Sequence, residues 1–289
     1  MLQRGDTGDA VKNLQTALMN LGFLSAEDMA SGPGTFGPRT EKAVTAFKAT
    51  MVDGIADDGT LAQLDLTVEP SDQPTSQLYT NAIVDLSHYN TNPDFAQAAA
   101  AGLMGVIHKA TEGVGYTDDT YASNRQKARA AGLLWGAYHF GTGSDPIAQA
   151  DYFLEKAAPD GDTLLVLDFE SKPTGTTMTL EQAITFIERI VQVTGKYPGF
   201  YSGHDIKKVL GNNRNETLAR CWFWLAQYGN TAVVPPNWPH WTLWQYTDGD
   251  KGPEPHVMAG IGPCDRDQFN GSAEQLHAFW QSQVVSVIS

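Results

Sequence analysis

The chain has little cysteine and little positive charge, and each shortage excludes some classes of protein. Its 289 residues include only two cysteines, Cys221 and Cys264, too few for a disulfide scaffold or a zinc site. We interpret both as buried structural thiols, and the sequence leaves open whether they pair. Lysine and arginine number 19 against 33 aspartates and glutamates, which gives a net charge of −14. That balance argues against nucleic acid or an anionic membrane surface as a partner, because both attract basic faces.

Long apolar runs and metal-binding patterns are missing too. No stretch of about 18 apolar residues is present, so we expect no insertion into a membrane. The opening MLQRGDTGDAVKN lacks the apolar core of a signal peptide, which predicts a protein made in the cytoplasm without a signal peptide, or one already trimmed. The histidines are scattered without metal-ligand spacing, so we expect no metal and no other cofactor. The hydrophobic fraction of 42% is ample for a buried core.

A linker-like segment divides the chain into two unequal parts. Residues 66–80, LTVEPSDQPTSQLYT, combine two prolines with polar residues and show neither helical nor strand periodicity. We therefore predict a small domain over residues 1–65, a linker over 66–80 and a large domain over 81–289.

Three helical segments are predicted in the small domain. Apolar residues of the first recur at three- and four-residue steps, on one helical face: Val11, Leu14, Leu18 and Leu21. The second begins near Pro38, a favoured first-turn residue, and buries Val44 and Phe47. A short third helix carries Leu61 and Leu64. Because this domain contains neither His nor Cys, it shows no catalytic set, which is typical of a binding or docking module.

Three stretches of the small domain resemble the peptidoglycan-binding domain of cell-wall hydrolases, a three-helix module. They are LQRGDTGDAVKNLQTALMNLGF, GTFGPRTEKAVTAFKA and VDGIADDGT. The resemblance covers nearly all of residues 1–65 and departs at Lys48, where the family often has Gln. It implies that this domain binds bacterial peptidoglycan. A helical module that only assists folding is the alternative.

Short apolar runs alternate with helical patterns in the large domain. The runs cover residues 82–87, 105–110, 133–140, 164–170, 199–202, 221–228, 242–247 and a last one around 264–265. Helical patterns over 93–101, 120–131, 146–157 and 179–194 separate the early runs. The alternation predicts right-handed crossovers and a parallel sheet, and eight runs favour a closed sheet. We predict an α/β fold, an irregular TIM-like (β/α) barrel preceded by a small all-α domain, with little helix after residue 199.

Polar residues gather where the runs end, which in such a barrel is the end that carries the active site. They are Asp85, Lys109, His139, Asp168, Glu170, Tyr201, Gln227, Gln245 and Asp265. Asp168 and Glu170 are two apart, so both project from one face of a strand with α-carbons about 6.5–7 Å apart. Glycosidic cleavage needs such a pair, one carboxyl protonated and one ionised. We expect burial beside Asp168 to raise the pKa of Glu170 and keep it protonated, although a D-x-E pair can also be a solvated rim pair.

Nine stretches of the large domain resemble, in order, the family 25 glycoside hydrolases, the Chalaropsis-type and phage lysozymes. They are IVDLSHYN, HKATEGVGYTDD, AGLLWGAYHF, QADYFL, LVLDFE, GFYS, WLAQY, LWQYT and CDRDQFNGS. The resemblance implies an irregular barrel that cleaves peptidoglycan between N-acetylmuramic acid and N-acetylglucosamine. It also implies that Glu170 is the general acid, Asp168 the second carboxylate, and Asp85 and Asp265 supporting acids of the groove floor.

Several other residues are candidates for sugar binding. His139 is predicted to bond a groove carboxylate or the sugar, with a satisfied barrel histidine as the alternative. Flat side chains that suit sugar stacking or core packing are Tyr138, Tyr201, Trp224, Tyr228 and Trp244. Lys109 and Glu112 are candidates for an ion pair at the mouth, and Gln245 for a hydrogen bond to an acetamido group.

Together these patterns predict a muramidase targeted to the cell wall by its first domain, a monomer that acts at the peptidoglycan layer. A phage or prophage endolysin is the favoured origin, and a secreted autolysin or toxin the alternative. An N-acetylglucosaminidase or chitinase and a non-catalytic wall-binding protein are the rival functions. An amidase or endopeptidase is disfavoured because neither a metal set nor a Cys-His nucleophile can be assembled.

Overall fold

A computed structural model of the chain describes residues 2, 4–20, 23–30, 32–48, 79–172 and 174–286. It divides into two compact units, Met1–Ser76 and Gln77–Ser289. Most of the predicted linker, all but residues 79 and 80, lies outside the described residues. The same holds for Leu21 and for the predicted third helix with Leu61 and Leu64.

The smaller unit is helical. Its described helices are α1 Asp9–Asn20, α2 Ala26–Ala30 and α3 Pro38–Lys48. They enclose one apolar cluster: Leu2, Val11, Leu14, Leu18, Leu24, Phe36, Ala43 and Val44. Gln15 fixes the turn before α3, because its buried amide accepts from Gly34 N at 2.7 Å and donates to Thr35 O at 3.0 Å. Helix α2 was not predicted, since five residues are too few to show an apolar period.

The larger unit contains a closed barrel with helices around it. Its strands are β1 Thr80–Leu86, β2 Gly105–Glu112, β3 Tyr116–Thr117, β4 Leu134–Phe140, β5 Asp160–Asp168, β6 Gly199–Ser202, β7 Phe223–Ala226, β8 Leu243–Thr247, β9 Val257–Met258, β10 Gly262–Pro263, β11 Asp265–Phe269 and β12 Val285–Ser286. Its helices are α4 Phe95–Ala100, α5 Tyr121–Ala130, α6 Pro146–Ala157, α7 Leu180–Thr194, α8 His204–Leu210, α9 Glu216–Ala219 and α10 Ala273–Gln283. No helix in the described ranges is long and apolar enough to cross a bilayer.

Eight of these strands close the barrel in the order β1-β2-β4-β5-β6-β7-β8-β11, with β11 returning to β1. The predicted irregular TIM-like barrel is confirmed, with one correction to the all-parallel sheet. Neighbouring strands are parallel from β1 to β8, but β11 runs antiparallel to both β8 and β1. The segment between β8 and β11 carries the small β9–β10 hairpin and no helix. Without a crossover helix, the chain returns beside β8 in the opposite direction.

Helix packing closes one end of the barrel. Trp280 of α10 belongs to the apolar cluster inside the barrel, and its indole N–H donates to Trp135 O at 3.1 Å. A Cβ on Gly105 would lie 3.2 Å from the Trp280 ring, so a larger residue would crowd this contact. Gly105 and Trp135 lie at the starts of β2 and β4, so α10 covers the amino ends of the strands. The carboxyl ends remain open for a site.

Candidate active site

The carboxyl ends of the barrel strands surround a cavity of about 280 Å³. It is lined by Asp85, Ser87, Tyr89, Lys109, Tyr138, Phe140, Asp168, Glu170, Tyr201, Trp224, Tyr228, Gln245 and Asp265. Of the predicted catalytic and sugar-binding residues, His139 and Trp244 do not line this cavity. Side chains spread over the whole sequence of the larger unit therefore meet at one mouth.

Asp168 and Glu170 form part of one wall of the cavity. Asp168 is the last residue of β5 and is 6% exposed, whereas Glu170 is half-buried two residues beyond. Burial raises the pKa of Asp168 well above its usual value, the Glu170 charge raises it further, and Lys109 opposes the shift. Burial and the charge of Asp205 raise the pKa of Glu170. The site thus favours protons on carboxyls, as an acid catalyst requires.

This electrostatic pattern differs in one respect from the sequence-based expectation, which had Asp168 anionic beside a protonated Glu170. Asp168 is the more deeply buried of the two, and its Oδ1 receives no hydrogen bond from the described residues. The pKa of Asp168 is therefore raised as well. Since the two carboxyls interact, they titrate as a pair.

Lys109 is held at the cavity by the predicted ion pair. Its Nζ lies 2.7 Å from Glu112 Oε2, and Lys172 Nζ lies 2.7 Å from Glu112 Oε1. Although burial works in the opposite direction, the hydrogen bonds from both lysines hold the pKa of Glu112 below its usual value. Lys109 also lies over the Phe140 ring, 5.1 Å from its centroid. Glu112 therefore links the end of β2 to the segment that follows Glu170.

The floor of the cavity is a buried chain of hydrogen bonds. Tyr201 donates its hydroxyl to Gln245 Oε1 at 2.9 Å, and Gln245 Nε2 donates to Asp85 Oδ2 at 2.8 Å. Trp224 Nε1 donates to Asp267 Oδ1 at 2.7 Å. The amide of Gln245, predicted as a donor to an acetamido group, is thus already engaged by Asp85.

Acidic side chains crowd this floor. Burial, followed by the charges of Asp265 and Asp267, raises the pKa of Asp85. Burial, followed by the charges of Asp248 and Glu170, raises the pKa of Asp265 to about 7. Carboxyls so close together cannot all ionise at once, so the floor retains protons into the neutral range.

Asp267 is a buried site residue that sequence reasoning missed. It stands two residues after Asp265 on β11, and the same alternation that paired Asp168 with Glu170 could have found it. Ser87 and Tyr89, which follow Asp85 directly in the chain, were missed as well, together with Phe140. Tyr89 is 84% exposed at the rim.

His139 lies on the other face of β4, in the layer between barrel and helices. Its Nδ1 is 2.8 Å from Thr111 Oγ1 and its Nε2 is 3.2 Å from Gln149 Oε1, and its ring stacks on Phe186. Burial lowers the pKa of His139 to about 4. Because side chains alternate along a strand, Tyr138 faces the cavity and His139 cannot. The geometry is that of a satisfied barrel histidine.

Trp244 and the two cysteines also lie in the packed part of the barrel unit, away from the cavity. Trp244 does not line the cavity, and its Nε1 donates to Gln227 O at 2.6 Å. Cys221 and Cys264 are both buried free thiols, and burial raises the pKa of Cys264 to about 12. In the described part of the chain, no three His, Cys, Asp or Glu side chains group so as to hold a metal ion.

Comparisons with known proteins agree with both units. Residues 84–254 match the model of the glycosyl hydrolases family 25, and residues 7–64 match a putative peptidoglycan binding domain. Lysozyme M1 of Streptomyces globisporus is 32% identical over 237 residues, which are 76% of this chain and 79% of that protein. The N,O-diacetylmuramidase of Chalaropsis sp is 32% identical over 182 residues, 57% of this chain and 86% of that protein.

A solved structure extends the similarity to the fold. The crystal structure of the bacterial lysozyme from Streptomyces coelicolor matches with a TM-score of 0.62 and 32% identity, over 73% of this chain and 100% of that chain. The match of the family model spans more than half of the sequence, and its residues include Asp85, Asp168 and Glu170. The chain belongs to the glycosyl hydrolases family 25.

Proposed function

We propose that the chain is a muramidase, which hydrolyses the β-1,4 bond between N-acetylmuramic acid and N-acetylglucosamine in peptidoglycan. The observation that carries the proposal is the pair Asp168 and Glu170 at the wall of an open cavity, with the pKa of both carboxyls raised. Relatives of the chain are named lysozyme and N,O-diacetylmuramidase. The putative peptidoglycan binding domain in the same chain supports the same polymer as substrate.

Glu170 is the general acid in this mechanism. Its carboxyl donates a proton to the glycosidic oxygen while the bond from that oxygen to the anomeric carbon breaks, so the leaving sugar departs as an alcohol. The positive charge that develops on the anomeric carbon is met by the carbonyl oxygen of the neighbouring N-acetyl group. The ionised form of Asp168, which the Lys109 charge favours against burial, orients that amide and stabilises its charge. Water then attacks the anomeric carbon, the bond from that carbon to the N-acetyl oxygen breaks, and the water gives a proton to Glu170, which restores the acid.

The remaining lining residues shape and polarise the groove. Asp85 and Asp265 act as supporting acids of the floor, while Tyr201, Trp224 and Gln245 hold that floor through hydrogen bonds. Sugar contacts come from less buried or open side chains of the wall: Tyr138, Tyr228 and Lys109. Tyr228 is 44% exposed, so one face of its ring is free for stacking.

The small domain over residues 1–65 serves as the peptidoglycan-binding module, and residues 66–80 connect it to the barrel domain over 81–289. Tethering makes the second engagement with the polymer intramolecular, which raises the local concentration of the catalytic unit at the peptidoglycan layer. One copy of the chain contains every residue of the proposed site, so a monomer suffices for activity.

Product analysis tests the proposal. Purified sacculi are digested with the full chain, and mass spectrometry identifies the reducing ends, with Glu170→Gln as the matched inactive control. Reducing N-acetylmuramic acid is expected. Reducing N-acetylglucosamine would instead assign an N-acetylglucosaminidase. Binding without any product would mean a wall-binding protein.

A further inference from the structure

Glu170 lies just beyond β5, and its backbone is held on the side that precedes it. Phe169 N donates to Tyr201 O at 2.9 Å, which extends the pairing of β5 with β6 by one residue. The buried hydroxyl of Ser202 donates to Phe169 O at 2.7 Å. Both backbone polar groups of Phe169, the residue before Glu170, are thus fixed by β6.

Asp205 holds the backbone that follows Glu170. Ser171 N donates to Asp205 Oδ2 at 2.6 Å, a short hydrogen bond to a carboxylate. Asp205 lies in the first turn of α8. The helix starts close to β7, because Gly203 has no side chain and a Cβ there would lie 2.5 Å from Ala226 O. The position of Asp205 is therefore set by the packing of α8 against the barrel.

Several ionisable groups besides Asp205 face Glu170. Asp168 on β5, Tyr201 on β6, Tyr228 after β7 and Asp265 on β11 are all near enough for the Glu170 charge to raise their pKa values. After burial, the negative charge of Asp205 is the cause that raises the pKa of Glu170 itself. The nearby cations are engaged elsewhere, since Lys172 bonds Glu112 and Lys207 bonds Gln227 Oε1 at 2.6 Å.

We propose that Asp205 is a positioning residue for Glu170: one of its carboxylate oxygens fixes the backbone after Glu170, and this hydrogen bond places the Asp205 carboxylate next to the acid. The inference rests on the proposed role of Glu170 as general acid. If Asp205 were merely structural, it would hold Ser171 without changing the pH at which Glu170 loses its proton. The two cases differ in the pH dependence of the rate.

Four purified full-length variants separate charge from geometry. Asp205→Asn keeps an oxygen that accepts from Ser171 N and removes the charge, whereas Asp205→Ala removes both. Asp205→Glu keeps the charge and changes its reach. Asp94→Asn is the matched control. Like Asp205, Asp94 lies at the start of a helix and accepts one backbone N–H, in this case from Gln97, but it does not line the cavity. The rate of clearing of a sacculus suspension is measured from pH 4 to 9 for each variant.

For Asp205→Asn, we expect the alkaline limb of the profile to move to lower pH. The rate one pH unit above the wild-type optimum should fall by about three- to tenfold, while the maximal rate stays within about twofold of wild type. Asp205→Ala should show the same shift with a further loss of maximal rate. Asp205→Glu should keep the alkaline limb in place with a lower maximum. Asp94→Asn should match wild type.

An alkaline limb that stays in place in both Asp205→Asn and Asp205→Ala would overturn the role of Asp205. Glu170→Gln is measured in parallel. If that variant is inactive, an unmoved limb counts against Asp205 alone. If Glu170→Gln is active, the assignment of the general acid fails and the inference about Asp205 falls with it.

Discussion

Asp85 and Asp267 lie on neighbouring antiparallel strands at the floor of the cavity, where Gln245 donates to Asp85 and Trp224 donates to Asp267. The second oxygen of Asp267, Oδ2, receives no hydrogen bond from the described residues. Asp267 is fully buried and Asp85 is 6% exposed, so burial raises the pKa of both. The floor therefore contains two buried acids of raised pKa beneath the proposed catalytic carboxyls.

Asp267→Asn should stabilise the protein at neutral pH. A carboxyl whose pKa is raised by folding makes the protein less stable as the pH rises above the unfolded value, and an amide at this position does not titrate. The oxygen of the Asn amide still accepts from Trp224 Nε1. We expect a gain on the order of 1 kcal/mol at pH 7–8 that shrinks towards pH 4.

Thermal melts across this pH range measure the effect. Asp145→Asn is the control, because it exchanges one helix-capping acceptor for another and should change little. A melting temperature of Asp267→Asn below that of wild type at pH 8 would contradict a raised pKa of Asp267 in the folded protein.

Glu170→Gln should reduce the rate by on the order of 10²–10⁴, because it keeps the shape of the acid and removes its proton. Binding to sacculi should persist, since the groove is unchanged. Asp168→Asn should be similarly damaging. Turnover and sacculus pull-down are measured together at the pH optimum. If Glu170→Gln retained more than about a tenth of the wild-type rate, the acid would have to be sought at Asp85 or Asp265.

Lys109→Gln should reduce the rate mainly at pH values below the optimum. The Lys109 charge opposes the burial of Asp168. Without it Asp168 stays protonated to higher pH, and the rate one unit below the optimum should fall by about three- to tenfold. Glu112→Gln leaves that charge in place and should cost far less. A pH–rate profile of both variants checks this, and equal losses at every pH would point to a substrate contact instead.

Removal of residues 1–70 should weaken binding to sacculi by roughly tenfold or more and leave the barrel active on a soluble muropeptide. The larger unit has its own core and contains every residue of the proposed site. Pull-down by sacculi and turnover on the soluble fragment are compared for the two lengths of chain. Equal pull-down would rule out targeting by the first domain.

The proposed N-acetyl participation predicts that the first-formed product keeps the configuration of the substrate. Carboxyls about 5–5.5 Å apart are typical of retention and about 6.5–9.5 Å of inversion with an intervening water. Proton NMR of the anomer released from a soluble oligosaccharide follows the configuration before mutarotation. An inverted product would mean that water attacks directly, with Asp168 as its base.

The sequence predicts most of the barrel because each strand is a short apolar run between polar segments. The run at 199–202 and the helix at 146–157 have the predicted bounds in the structure. What could not be predicted depends on contacts between distant segments. The direction of β11 follows from pairing with β1, and α10 acquires its role only when Trp280 meets Gly105.

Within the site, residue type identified the carboxyls and strand position placed them at one mouth. The proton affinities of these carboxyls were harder to predict, because they depend on how deeply each side chain is buried in the fold. Asp168 is buried and Glu170 is half-buried although both follow the same apolar run. His139 shows the same limit, since the end of a run identifies the mouth but does not tell which of two neighbouring side chains faces it.

The barrel is closed by its first and last strands, and this has a consequence for synthesis. Asp85 on β1 is in register with Asp265 on β11, about 180 residues later in the chain, so the floor cannot form until β11 has left the ribosome. A nascent chain that already presents Asp168 and Glu170 lacks the strand that completes their surroundings. A chain that ends before β11 therefore lacks both the strand that closes the barrel and Asp265, one of the residues that line the cavity.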